Sequence, residues 1–156
     1  MKICVIGCGY VGLVSATCFA ECGLDVVCVD TNAAKIDLLL EGRVPFYEPS
    51  LEDLIIKNVD CNRLSFSKDL NLYIAEADAI FLAVGTPMQS DGKADLQYIY
   101  SAVEDIRTQL KGYTLIIVKS TVPIGTGDAI ENKLLESVAK EKFDVVSALF
   151  HILSYQ

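Results

Sequence analysis

Two features of the first thirty residues have the chemistry to hold a dinucleotide. Gly7, Gly9 and Gly12 stand in G-x-G-x-x-G spacing directly after the apolar run 3–6, and residues 10–22 follow as an apolar helix stopped by Gly23. In a strand–turn–helix of this kind the first glycine makes the tight turn. The second lets a pyrophosphate approach the backbone, and the third lets helix and strand pack closely. The helix N-terminus adds unpaired N–H groups and a partial positive charge. A second apolar run, residues 26–29, ends in Asp30. A carboxylate there accepts hydrogen bonds from both hydroxyls of an adenosine ribose and repels a 2′-phosphate, so the pattern predicts NAD rather than NADP.

Hydroxyl groups form a second candidate set. Gly85, Thr86 and Pro87 follow one apolar run, and Lys119, Ser120, Thr121, Val122, Pro123, Ile124, Gly125 and Thr126 follow the next. Two readings stay open. Glycine and proline turn the chain while Thr126 caps the following helix, or Thr86 and Thr121 touch a nicotinamide or its ribose. Lys35, read from spacing alone, is a solvent-facing helix lysine.

The elements that must position these residues alternate. Apolar runs at 3–6, 26–29, 64–67, 79–84, 115–118 and from 144 read as strands, the run 79–84 as a central one. Between them lie helical patterns at 10–22, to about 40 after a cap at Thr31 or Asn32, from a cap at Ser50, and at 69–75, 96–110 and 128–139. The helix 96–110 carries Ile99, Val103, Ile106 and Leu110 at core spacing. This order predicts an α/β fold: a Rossmann-like doubly wound, mostly parallel six-stranded sheet with helices on both faces. Ligands of such sheets lie across the carboxyl ends of the strands.

Composition narrows the class. The 156 residues are 52% hydrophobic and 22% charged, with a net charge of −8, which describes one globular domain with a generous core. That charge excludes a nucleic-acid partner, since a phosphate backbone needs a basic face. The eighteen uncharged residues after Lys2 invite a signal-peptide or membrane-span reading. A single preceding basic residue, three interrupting glycines and Glu21 at the end count against it. The six cysteines are Cys4, Cys8, Cys18, Cys22, Cys28 and Cys61. They are expected to be free thiols behaving as small buried hydrophobes in a reducing, cytoplasmic setting. No metal site is expected, because the only histidine is His151 and no C-x-x-C pair is present.

Five segments in order, KICVIGCGYVGLVSATCFAECG, VVCVDTNAAKI, LLEGRVPFYEPSLEDLI, FLAVGTPMQSDGKADLQYI and VKSTVPIGTG, resemble the NAD-binding domain of the UDP-glucose/GDP-mannose 6-dehydrogenases. VGTP followed by DGKADLQY is more similar to the UDP-glucose branch. The resemblance implies oxidation of a sugar-nucleotide C6 alcohol to a carboxylate in two hydride transfers, with two NAD⁺, by oligomeric enzymes. It implies that the glycine turn with Tyr10 and Val11 holds the diphosphate, and that Asp30 and Lys35 bind the adenosine ribose. Gly85, Thr86 and Thr121 would line the nicotinamide side, with Thr121 also positioning a catalytic water.

The resemblance covers residues 1–147. Residues 148–156 do not match the Asn-Pro-Glu-Phe-Leu segment that family members carry next, and read as a non-homologous tail left by a frameshift, an early stop or an artificial boundary. The expectation is an NAD-binding half without its sugar-nucleotide domain or thioester cysteine, and inactive alone. Its tail, with Leu149, Phe150, Ile152, Leu153 and Tyr155, is expected to fold back or to drive self-association. Three alternatives stand beside it: a free-standing NAD-binding module or redox sensor, a fragment acting on GDP-mannose or a UDP-N-acetylhexosamine, and a hydroxyacid dehydrogenase.

Overall fold

A computed structural model describes residues 1–148. The elements run β1 (Lys2–Ile6), α1 (Tyr10–Glu21), β2 (Asp25–Val29), α2 (Ala33–Leu40), α3 (Leu51–Asp60), β3 (Leu64–Ser67), α4 (Asn71–Ile74), β4 (Ala79–Leu82), α5 (Gln97–Gln109), β5 (Thr114–Val118), α6 (Thr126–Leu135) and β6 (Phe143–Ser147). The strands form one sheet in the order β3-β2-β1-β4-β5-β6, and every pairing is parallel. The order reverses between β1 and β4, which opens a crevice at their carboxyl ends. The predicted doubly wound architecture is therefore present. The expectations for the tail fall on residues 149–156, outside the described residues.

Strand periodicity divides the core in two. Cys4 and Ile6 of β1 face one side with Val27, Val29, Ile80 and Leu82, packed against Ile99, Val103 and Ile106 of α5 and Ile130 of α6. Ile3 and Val5 face the other with Val26 and Cys28, packed against Leu13 and Ala16 of α1, Ile36 of α2 and Ile55 of α3. β1 is thus apolar on both faces, as a central parallel strand must be. Burying each of these large side chains contributes about 1.5–3 kcal/mol.

The expected cap of α2 is present, while the starts of α3 and α6 and three of the cysteines depart from the expected pattern. Asn32 caps α2, its side chain accepting from the Lys35 N–H at 3.2 Å. Ser50 precedes α3 but sits in the left-handed region (φ 63°), and its hydroxyl makes no capping bond. The N-cap of α6 is Gly125; Thr126 is the first helical residue, and its hydroxyl donates to the Pro123 carbonyl at 2.8 Å. The cysteines are all free, as expected, but only Cys4, Cys8 and Cys28 are buried. Cys18 lies on the outer face of α1, Cys22 is its C-cap and Cys61 follows α3, all three exposed. Composition predicts burial for cysteine in general; the helix face decides it for each residue.

Candidate functional site

The crevice at the switch point is a cavity of about 420 Å³ lined by Gly7, Gly9, Asp30, Lys35 and Gly85. Gly7 turns the chain out of β1 at φ +104°, and a Cβ there would stand 2.6 Å from the Ala83 carbonyl oxygen. At Gly12 a Cβ would meet the Gly7 carbonyl oxygen at 1.8 Å, so only hydrogen fits where α1 crosses the turn. Gly9 differs: nothing lies within 4 Å of its would-be Cβ. That open space, at the N-cap of a helix with no capping side chain and no acid in its first turn, suits a pyrophosphate.

Asp30 ends β2 with its side chain 11% exposed. One carboxylate oxygen accepts from the Cys8 N–H at 2.9 Å and from Lys35 Nζ at 2.6 Å, and the other from the Asn32 N–H at 2.9 Å. Burial alone would raise its pKa. The hydrogen bonds from Lys35, Asn32 and Cys8 outweigh it and hold the carboxyl below the ordinary carboxylate range. The Cys8 bond also ties the Asp30 carboxylate to the glycine turn. Lys35, a solvent-facing lysine by spacing, is instead half-buried against Asp30. Only the folding of α2 back over β2 reveals that.

The two threonines expected at the nicotinamide are brought together. The Thr86 hydroxyl donates to the Thr121 carbonyl at 2.8 Å, linking the loops after β4 and β5. The Ser120 hydroxyl donates to the Val84 carbonyl at 2.7 Å and braces the same pair of loops. Neither threonine lines the cavity. Tyr10 also turns away from it. Its hydroxyl donates to Glu48 at 2.8 Å and its ring lies 5.2 Å from that of Phe46, so it tethers the loop between α2 and α3 to the start of α1. Val11 is exposed beside it.

The cavity has a second wall that the sequence motifs do not announce. Lys68 and Leu70 after β3, and Tyr98, Ser101 and Asp105 of α5, line it. The signal was present in α5, where Tyr98, Ser101 and Asp105 recur at helical spacing beside the core stripe of Ile99, Val103 and Ile106. A larger cavity of about 580 Å³ opens at the β3 edge among Leu40, Ile56 and Val59. Its polar rim sets Asp25, Glu41 and Asp60 against Arg63, the wrong balance for a diphosphate. Among the described residues there is no group of three or more metal-ligating side chains and no helix long and apolar enough to cross a membrane.

Residues 1–153 match the family model described as "UDP-glucose/GDP-mannose dehydrogenase family, NAD binding domain". The chain is 49% identical over 148 residues to a UDP-glucose 6-dehydrogenase of Rhizobium meliloti, covering 94% of this chain and 34% of that one. It is 50% identical over 147 residues to UDP-glucose 6-dehydrogenase TuaD of Bacillus subtilis, covering 94% and 32%. Among solved structures, a UDP-glucose dehydrogenase from Pyrobaculum islandicum superposes with a TM-score of 0.85 at 38% identity, over 94% of this chain and 35% of that one. The chain thus spans about a third of the length of the relatives it matches.

Proposed function

The chain belongs to the UDP-glucose/GDP-mannose dehydrogenase family, and from that premise we propose that it is the NAD-binding half of a UDP-glucose 6-dehydrogenase. The observation that carries the reading is the joint placement of the open Gly9 turn, the uncapped N-terminus of α1 and the Asp30 carboxylate in one cavity. Identities of 49% and 50% to UDP-glucose enzymes support that sugar nucleotide over GDP-mannose or a UDP-N-acetylhexosamine. In this reading the dinucleotide domain spans residues 1–147, closing with β6, and residues 148–156 form a tail. The family match itself runs on to residue 153.

The residues fit NAD, which when bound supplies the acceptor for hydride from the sugar C6. Gly7 and Gly12 hold the turn closed, Gly9 leaves room for the diphosphate, and Tyr10 and Val11 start the helix that faces it. Asp30 accepts from the adenosine ribose hydroxyls, and Lys35, already bonded to Asp30, donates beside them. Gly85, Thr86 and Thr121 are assigned to the nicotinamide end in this reading, with Thr121 given the holding of a water, and the bond from Thr86 to the Thr121 carbonyl supports their acting together.

A second oxidation, from aldehyde to acid, needs a thiolate to trap the aldehyde. None of the six cysteines serves. Cys8 sits in the glycine turn, but its sulfur points into the core, 3.0 Å from that of Cys28. The neighbouring Cys8 thiol and burial push the Cys28 thiol up, and burial pushes Cys4 up to about 12. Cys18, Cys22 and Cys61 lie away from the carboxyl ends of the strands.

Two measurements test the proposal. Titration calorimetry is expected to show NAD⁺ binding well ahead of NADP⁺; equal affinities would remove the role of Asp30. In an assay of NADH formation, this polypeptide with UDP-glucose and NAD⁺ is expected to give no turnover. Positioning the sugar against the cofactor is worth about 7–11 kcal/mol of barrier, and this reading assigns that task to the two thirds of the relatives' length that the chain does not cover. Turnover by this polypeptide alone would overturn the assignment of sugar binding and thiol chemistry to other residues.

A further inference from the structure

The α5 wall of the cavity carries a carboxylate to which the cofactor site described above gives no role. Asp105 lies two turns along α5 from Tyr98, with Ser101 between them, and all three line the cavity shared by Gly9, Asp30 and Lys35. Leu70 and the aliphatic residues Ala83 and Val84 line it with them. Thr86 and Thr121 do not line this cavity. A dinucleotide held by the glycine turn and by Asp30 puts its adenosine half here, and the α5 wall is then left for the purine. Leu70, Val84, Ala102 and Tyr98 supply apolar lining suited to a base face, and such sites orient their ligand through a few placed polar groups.

We propose that Asp105 reads the purine of the cofactor, its carboxylate accepting a hydrogen bond from the exocyclic N6 amine of adenine and discriminating against purines with a 6-oxo group. The inference rests on the NAD-binding reading above and deepens it. Asp105 is half-buried, and no hydrogen bond among the described residues occupies its carboxylate. Burial, with Glu104 beside it, raises its pKa from the ordinary value. A partly desolvated acceptor without a donor is stabilised by one supplied with the ligand. Lys35 and Lys68, the cations that also line the cavity, are paired with Asp30 and Asp37 at 2.6 and 2.7 Å. Adenine presents an N–H donor at position 6. Hypoxanthine presents an oxygen there, so its lone pairs would face the carboxylate, and its N1–H cannot be engaged without bringing that oxygen alongside.

The test is calorimetric titration of the folded protein with NAD⁺ and with nicotinamide hypoxanthine dinucleotide, for the native chain, Asp105→Ala and Asp105→Asn. The native chain is expected to prefer NAD⁺ by roughly tenfold or more. Asp105→Ala should bring the two affinities within about threefold of each other, mainly by weakening NAD⁺. Asp105→Asn, whose amide both donates and accepts, should bind the hypoxanthine dinucleotide better than the native chain does. Thermal melts establish that each variant is folded, and the isosteric Asn carries the test if Ala is not. An unchanged preference in both variants, or no preference in the native chain, overturns the role of Asp105 while leaving NAD binding intact. Failure of the native chain to bind either dinucleotide overturns both the inference and the reading beneath it.

Discussion

The two ends of the cofactor cleft are built differently. At the adenosine end the glycines are packed against backbone, with would-be Cβ atoms 1.8 and 2.6 Å from carbonyl oxygens. Asp30 is held there by three hydrogen bonds. At the end proposed for the nicotinamide two hydroxyl bonds, from Thr86 to the Thr121 carbonyl and from Ser120 to the Val84 carbonyl, join two loops, and Met88 and Ile124 stand in solvent. The first end is organised before any ligand arrives. The second offers hydroxyls without walls. Binding free energy should therefore concentrate at the adenosine end, because groups already held in place lose little freedom on binding.

Substitutions along the glycine turn give the largest expected effects. Gly12→Ala forces a methyl group onto the Gly7 carbonyl and should destabilise the fold by about 3 kcal/mol or more, seen in chemical denaturation. Gly9→Ala, with open space around it, should leave stability within about 1 kcal/mol of the native value. It should still weaken NAD⁺ binding roughly tenfold or more, because its methyl group occupies the place of the pyrophosphate. If both variants merely lowered stability, the turn would be a folding device and not a ligand site.

Asp30→Ala should weaken NAD⁺ roughly 10–100-fold by calorimetry, the loss of a charge-assisted bond of about 1.5–3 kcal/mol. The same carboxylate gives a pH signature. Its folded pKa lies below its unfolded value near 3.8, so its contribution to stability is present above that value. It is lost as the pH falls through the depressed folded pKa. Denaturation midpoints of the native chain should fall more steeply below about pH 4 than those of the Asp30→Ala variant. Parallel curves would mean that the hydrogen bonds to Asp30 do not persist in solution.

Smaller effects should appear at the other end. ADP-ribose should bind within about threefold of NAD⁺, because the part it lacks meets few fixed groups. A much weaker ADP-ribose would place real affinity at the nicotinamide loops and erase the contrast. Thr86→Val should cost about 0.5 kcal/mol of stability, the low end for one exposed hydrogen bond, and leave ADP-ribose affinity unchanged.

The adenosine end was also the more legible in the chain. Glycine spacing, the strand 3–6 before it and an acid ending the next strand are local features, and local geometry makes them work. Thr86 and Thr121 could be named from their positions after central strands, but not the bond between them, since it joins residues 35 positions apart. Lys35 and Asp105 were harder. Each sits on a helix whose exposed and cavity-facing sides look alike in sequence, and the distinction depends on how that helix lies on the sheet. Ser50 and Thr126 carry capping residue types beside helices, yet neither hydroxyl caps. There the backbone conformation at Ser50 and Gly125 overrides residue preference.

Order of elements, strand number, the two-faced burial of β1 and the identity of the cofactor turn all follow from patterns of a few residues. Hydrophobic periodicity and the steric demands of glycine act over one strand or one helical turn, so they can be read directly from the chain. Which side of α5 faces the ligand, which thiols are buried and what each carboxylate meets depend on contacts between residues far apart in sequence. Those contacts exist only once the crossovers have stacked helices on the sheet. The Asp30 carboxylate shows both levels: its place at the end of a strand was written locally, while its bond to the glycine turn, 22 positions earlier, came from pairing β2 beside β1.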